Sequence, residues 1–175
     1  MPKKSLTPEQ IIRILELQPL PVEGGYFRRS CEADEQFTAG SLPGRYPSQV
    51  RPYYSVIYFF LTAETDCFSS LHRLPTDEVY HFYLGDPVEL LQLNENGSST
   101  HILLGQDILN GQQVQALVPR GVWQGSHLMP GGEYALLGTS MAPAYEASDF
   151  EEGYRNDLLK HYPHESNLIN RLTRH

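Results

Sequence analysis

At 175 residues the chain suits one globular domain, able to bury a core without disulfide or metal staples. Its 13 Lys and Arg against 21 Asp and Glu leave a formal charge of -8, and no basic run interleaves with aromatics, so nucleic acid is excluded as a partner. Cys31 and Cys67 lack CxxC spacing, and no apolar run approaches the ~18 residues of a membrane span or forms a signal-peptide core, so the expected setting is reducing, cytoplasmic and without a membrane.

The first predicted element is a helix over residues 8 to 16 in "LTPEQIIRILELQPLP". Thr7 caps it, Pro8 suits its first turn, Ile11, Ile12 and Leu15 form an apolar stripe, and Pro19 and Pro21 stop it. The stripe is expected to lie against the body as an apolar lid. "VEGGYFRRS" then resumes as extended chain behind a Gly pair, and "TAGSLPGRYPSQVRP" reads as a loop free to move.

From Tyr53 to Ser140 the texture changes to eight short strand patterns: "YYSVIYFFLT", "CFSSLH", "EVYHFYLG", "VELLQLN", "STHILLG", "VQALVP", "VWQGSHL" and "YALLGTSM". Asp-Pro, Asn-Gly and Pro-Gly-Gly turns separate them, which means an all-β sandwich or barrel. Asn96-Gly97 predicts a tight hairpin with φ > 0 at both centres. Beyond Pro143 the chain turns acidic, then weakly helical through Leu158, Leu159, Ile169 and Leu172, and reads as an appended tail.

The chemistry concentrates in "FSSLHRLPTDEVYHFYLGDP". Alternation puts Ser70, His72 and Leu74 on one strand face, and Glu78, Tyr80 and Phe82 on one face of the next. If "RLPTD" folds the two strands side by side with these faces inward, His72 and Glu78 meet in an aromatic-lined cavity. There an imidazole and a carboxylate must pair with each other, a metal or a ligand. His81 falls on the opposite face unless a bulge intervenes. Tyr80, Phe82 and Trp123 read equally as a wall for a planar or sugar-like ligand or as core. Arg51 and Arg73 are set to meet either an anionic substrate or one of the 21 acids, Cys67 reads as inert core, and His101 and His127 have no motif partners.

"CFSSLHRLPTDEVYHFYLG" resembles the first motif of the cupin superfamily, a metal-binding hairpin of pattern His-x-His, Glu, Gly. His72, Glu78 and Gly85 match it, and Leu74 stands at the second His. "PRGVWQ" resembles the second motif, with Pro119 and Gly121 matching and Gln124 at its His. With "EGGYFRRS" and "VPRGVWQGS", residues 8 to about 160 are similar to the small cupin 5 group, catalogued as a domain of unknown function. The resemblance implies a jelly-roll β-barrel spanning about 20 to 145, a helical tail over 150 to 175, and a homodimer. It places Glu23 and Tyr26 at the barrel rim and implies no established reaction.

Three functions are consistent with these residues. In the first, a small polar or sugar-like molecule binds beside Glu23, Tyr26, Phe82, Trp123 and Gln124 and is isomerised or epimerised without metal. His72 is then the base, Tyr80 the acid and Glu78 the orienting group, as the resemblance to metal-free sugar epimerases implies. In the second, His72, Glu78, Gln124 and His81 hold a divalent metal ion for oxygenase or lyase chemistry. In the third, the domain binds without catalysis.

Overall fold

The computed structural model describes residues 6–175. Helix α1 (Pro8–Ile14) starts where its capping chemistry dictates: Thr7 Oγ1 accepts the Gln10 amide, and the Gln10 side chain accepts the Thr7 amide at 3.0 Å. It stops two residues short of the expected end, where Glu16 turns to φ 53°. Ile11 and Leu17 then bury against Phe60 and Leu136, on the outer face of a sheet.

Among the described residues thirteen strands follow in chain order: β1 (Gln18–Pro19), β2 (Tyr26–Glu32), β3 (Gln36–Phe37), β4 (Arg51–Pro52), β5 (Ser55–Thr62), β6 (Ser69–Arg73) and β7 (Glu78–Gly85), then β8 (Val88–Leu93), β9 (Ser99–Leu104), β10 (Gln115–Val118), β11 (Trp123–Leu128), β12 (Tyr134–Met141) and β13 (Glu151–Glu152). They form a six-stranded sheet, β1-β2-β5-β12-β7-β10, facing a five-stranded sheet, β13-β6-β11-β8-β9, with β3 and β4 as a separate ribbon. The eight predicted strand patterns are β5 to β12, and every pairing in these sheets is antiparallel. From β5 to β8, successive strands switch sheets. The result is a jelly roll laid out as a sandwich, whose sheets are not closed into a continuous barrel.

Two local expectations are corrected by this topology. β6 pairs with β11 and β13, whereas β7 pairs with β12 and β10. "RLPTD" is therefore a crossover between facing sheets, and His72 and Glu78 approach each other across the interior. The β8–β9 hairpin forms, but only Gly97 takes positive φ (84°), and its amide donates to Asn94 O at 2.9 Å. The turn is thus a longer one closed by a left-handed Gly, which relieves Asn96 of a strained conformation.

Apolar side chains fill one end of the interior, where Phe59, Tyr80, Phe82, Leu90, Leu104 and Leu137 share a core cluster. The loop expected to move is fastened: Arg51, whose side chain is fully buried, forks onto Asp149 at 2.5 and 3.1 Å and lies over Tyr46. The tail is no loose appendage. Helices α2 (Arg155–His161) and α3 (Ser166–Arg171) press Leu158, Ile169 and Leu172 onto Leu71, Leu91 and Leu93, the outer face of the smaller sheet.

A polar clasp joins that sheet to the tail. His127 Nε2 and His101 Nδ1 meet opposite oxygens of Glu89 at 3.0 and 2.9 Å, and His101 Nε2 meets Glu165 at 2.9 Å. Burial works against protonation of His101, but Glu89 and Glu165 outweigh it and raise its pKa, so its contribution is full below the unfolded value and is lost as pH rises. Glu165 is lowered on balance: burial raises it, while Ser99 and His101 bring it down, so its contribution is lost in acid. With ordinary values of about 4.3 and 6.5, the clasp is tightest between about pH 5 and 6.5. Amide protection of α3, corrected for intrinsic exchange, should fall from pH 6 to pH 8, and His101→Ala should remove the difference.

Candidate functional site

Where the core cluster ends, the sandwich opens into a cavity of about 550 Å³. Its walls follow from strand alternation. Phe27 and Arg29 of β2, Ile57 and Phe59 of β5, Thr139 and Met141 of β12, and Glu78 of β7 come from the inner face of the larger sheet. His72 and Leu74 face them from the smaller sheet, and the segments Leu20–Glu23 and Tyr145–Phe150 close the sides.

His72 is buried and stacks on Phe150, with ring centroids 5.0 Å apart. Its Nδ1 lies 2.7 Å from the Ser70 carbonyl oxygen. A carbonyl only accepts, so Nδ1 carries the proton, and in the neutral ring Nε2 is an acceptor without a protein partner. Glu78 Oε2 accepts the Gln124 amide at 2.7 Å. Burial raises the Glu78 carboxyl above its ordinary range; nearby Glu23 adds to this, while His72, Thr139 and Gln124 pull against it. Glu23 Oε1 accepts from Ser69 Oγ at 2.9 Å.

The Glu23 loop is held in an unusual backbone. Val22 sits at φ 67°, costly for a β-branched residue, and Gly24 at φ 103°, where a Cβ would collide with the Phe68 carbonyl oxygen. The Ser70 hydroxyl and the Arg174 guanidinium both donate to Val22 O, and the Ser70 amide donates to Glu23 O at 2.8 Å, which pins the loop over the opening.

Of the residues expected from sequence, His72, Glu78 and Glu23 line the cavity. Gln124 sits directly behind it, paired across strands with His72, and its Oε1 is buried without a partner. Four residues expected there lie elsewhere. Tyr80 and Phe82 share the inner face with Glu78 but lie further along β7, inside the packed core. Tyr26 points outward, toward Phe60 and Glu64, and its neighbour Phe27 points in. Trp123 is on the outer face of β11, beneath the Arg73 guanidinium at 4.6 Å. His81 faces outward as alternation assigns it, bonded to Ser140 and Gln115 and so out of reach as a metal ligand; the register shift in β7 falls beyond it, opposite Leu136 and Leu137. Arg51 and Arg73 pair with Asp149 and Glu151.

Tyr145 and Arg29 were not legible as cavity residues. Tyr145 arrives on the loop after β12, with no motif around it. Burial, followed by the charges of Glu23, Asp149 and Glu78, pushes its phenol up to about 12, so the cavity meets a hydroxyl that stays protonated at neutral pH. Arg29 pairs with Glu32 and donates to Tyr145 O at 3.3 Å.

A two-sheet jelly roll holding a His and a Glu at its open end is the cupin architecture. The solved cupin 2 domain-containing protein from Halorhodospira halophila shares it at a TM-score of 0.52 and 12% identity, over 87% of this chain and 85% of that one, a likeness of fold alone. Residues 9–152 match the model of the Cupin superfamily (DUF985) family, and the chain belongs to that family. It is similar to protein SO0799 from Shewanella oneidensis, at 32% identity and a TM-score of 0.84 over 97% of this chain and 99% of that one. It is also similar to a hypothetical protein from Leishmania major, at 27% identity and a TM-score of 0.81 over 96% and 99%.

The metal that the cupin hairpin implies does not fit these residues. Leu74 and Gln124 replace two imidazoles, Gln124 spends its amide on Glu78, and His81 is on the wrong face. Among the described residues no three His, Cys, Asp or Glu side chains gather where an ion could sit. No helix among them is long and apolar enough to cross a membrane.

Proposed function

We propose that the protein binds a small polar molecule at the open end of the sandwich and moves a proton on it through its own side chains. The observation that carries this reading is His72: its Nδ1–H is fixed on Ser70 O, so the free Nε2 lone pair belongs to the cavity it lines. Such a nitrogen removes a proton from carbon next to a carbonyl, and the electrons move onto the carbonyl oxygen. Tyr145 takes the acid role expected of Tyr80, because Tyr80 lies in the core and Tyr145 in the cavity. Its protonated phenol hydrogen-bonds the developing oxyanion, or returns a proton to carbon from another side. Isomerisation or epimerisation is the reaction class that results. Gln124 and Thr139 position Glu78 facing His72, where its charge steadies an imidazolium.

Incubation in D2O with a panel of keto sugars, amino sugars and keto acids is the test. Deuterium should enter a carbon next to a carbonyl for at least one compound, and His72→Ala should lose that uptake while retaining its circular dichroism. No uptake across the panel, with binding intact, would leave a binding module. We also infer that two copies associate, since Tyr83, Val114 and Leu117 leave apolar surface on the larger sheet and Ile108 and Leu109 protrude beside it; a concentration-independent monomer mass in light scattering would count against this.

A further inference from the structure

We infer that the cavity selects a molecule bearing a positively charged nitrogen, an organic ammonium on a compact apolar or polyhydroxy body. This rests on the reading that the cavity binds a small molecule, and specifies the charge of that molecule.

The inference follows from what is left free once every charged group is paired. Arg29 is the cation among the lining residues besides any protonated His72, and it is engaged by Glu32 and by Tyr145 O. Glu146 also lines the cavity, its amide held by Asp149 Oδ2 at 3.3 Å, and adds a further acid to the walls. Glu23 gives one oxygen to Ser69 and keeps the other, and Glu78 is a carboxylate held by Gln124 and Thr139 with no cation beside it but His72. His72, almost wholly buried, adds the unpartnered Nε2. Two carboxylates and an imidazole nitrogen therefore line the one cavity, from β7, the Leu20–Glu23 segment and β6. The Tyr145 hydroxyl is a neutral donor.

An ammonium carries a charge and three N–H donors, and it suits a cavity lined by two carboxylates. Without it the two carboxylates repel one another across a space of low dielectric. A phosphate or carboxylate ligand would face both of them with no unpaired guanidinium or ammonium in return. The walls, Ile57, Phe59, Leu74 and Met141, have nothing to offer an anion, and the chain's charge of -8 draws cations toward the opening. A metal ion is the other kind of cation, and the side chains that would have to gather around it do not.

Matched ligands separate charge from shape: benzylamine, benzyl alcohol and benzoate in one set, and glucosamine, glucose and glucuronate in the other. Each is titrated into the full-length protein at constant ionic strength, with the His72 ring resonances followed by NMR. The amine of at least one set should bind about tenfold or more tighter than its alcohol, and the carboxylate should not bind measurably. The double variant Glu23→Gln/Glu78→Gln keeps both shapes and should erase that preference; Glu23→Gln alone, at the rim, should halve it or more should the double variant fail to fold. An alcohol or carboxylate that binds as well as its amine, or a preference that survives in the variants, overturns the inference and leaves the cavity reading standing. If no member of either set shifts the His72 resonances up to millimolar concentration, the cavity reading falls with it.

Discussion

Asp149→Ala should lower the unfolding free energy by about 3–5 kcal/mol, seen as an earlier denaturant midpoint with the slope unchanged. Both side chains of the Arg51–Asp149 pair are completely removed from water, and the guanidinium cannot shed its proton to escape. Truncating Asp149 leaves that charge with the Ser48 and Ala144 carbonyls and the Tyr46 ring for company. Stability is not the whole effect, because Asp149 lies within Tyr145–Phe150, the segment that closes one side of the cavity. Its Oδ2 also receives the Glu146 amide at 3.3 Å. The variant should therefore loosen the cavity wall and weaken ligand binding even below its unfolding transition. The double variant Arg51→Met/Asp149→Leu, which removes both charges, should recover much of the loss. A loss under about 1 kcal/mol in Asp149→Ala would mean that the pair is wetter than its burial implies.

How much of this was legible in the sequence depends on the length scale involved. Period-two patterning and turn residues located eight strands, and alternation assigned His72, Glu78 and His81 to their faces, because the face of a strand is a local property. Depth is not local. Tyr80 and Phe82 share Glu78's face, yet the sandwich fills at their end and opens at the other, and this depends on every strand at once. Pairing is not local either: a four-residue link reads as a hairpin, but here it crosses between sheets, because β11 and β12 occupy the neighbouring positions. Tyr145 enters the cavity on a loop whose path is set by Arg51, almost a hundred residues earlier, and nothing in "PAYEASDF" announces it. The tail's weak apolar spacing concealed a real docking face, since only one or two side chains per short helix meet the sheet.

The Leu74→His/Gln124→His variant should gain a divalent metal site that the natural chain lacks the ligands to make. Leu74 lies two residues beyond His72 on the same face and lines the cavity, while Gln124 is its strand neighbour's counterpart, directly across from His72. Histidines at both positions would add two imidazoles to His72 and Glu78, giving three nitrogens and a carboxylate around one space. Removing the Gln124 amide also releases Glu78 Oε2 to act as a ligand. Co²⁺ or Zn²⁺ should then bind at one site per chain with micromolar affinity or better, about 1,000-fold tighter than to the natural protein, equivalent to about 4 kcal/mol. Each single variant should fall between. The affinity should decline below about pH 6.5, as protons compete for the imidazoles, and Co²⁺ should show the visible absorption of a nitrogen-liganded ion. At metal concentrations a hundredfold above the dissociation constant, the variant should gain about 2.7 kcal/mol of stability. If the double variant folds and binds no better than the natural chain, then His72, Leu74, Glu78 and Gln124 do not face a common space at the open end of the sandwich.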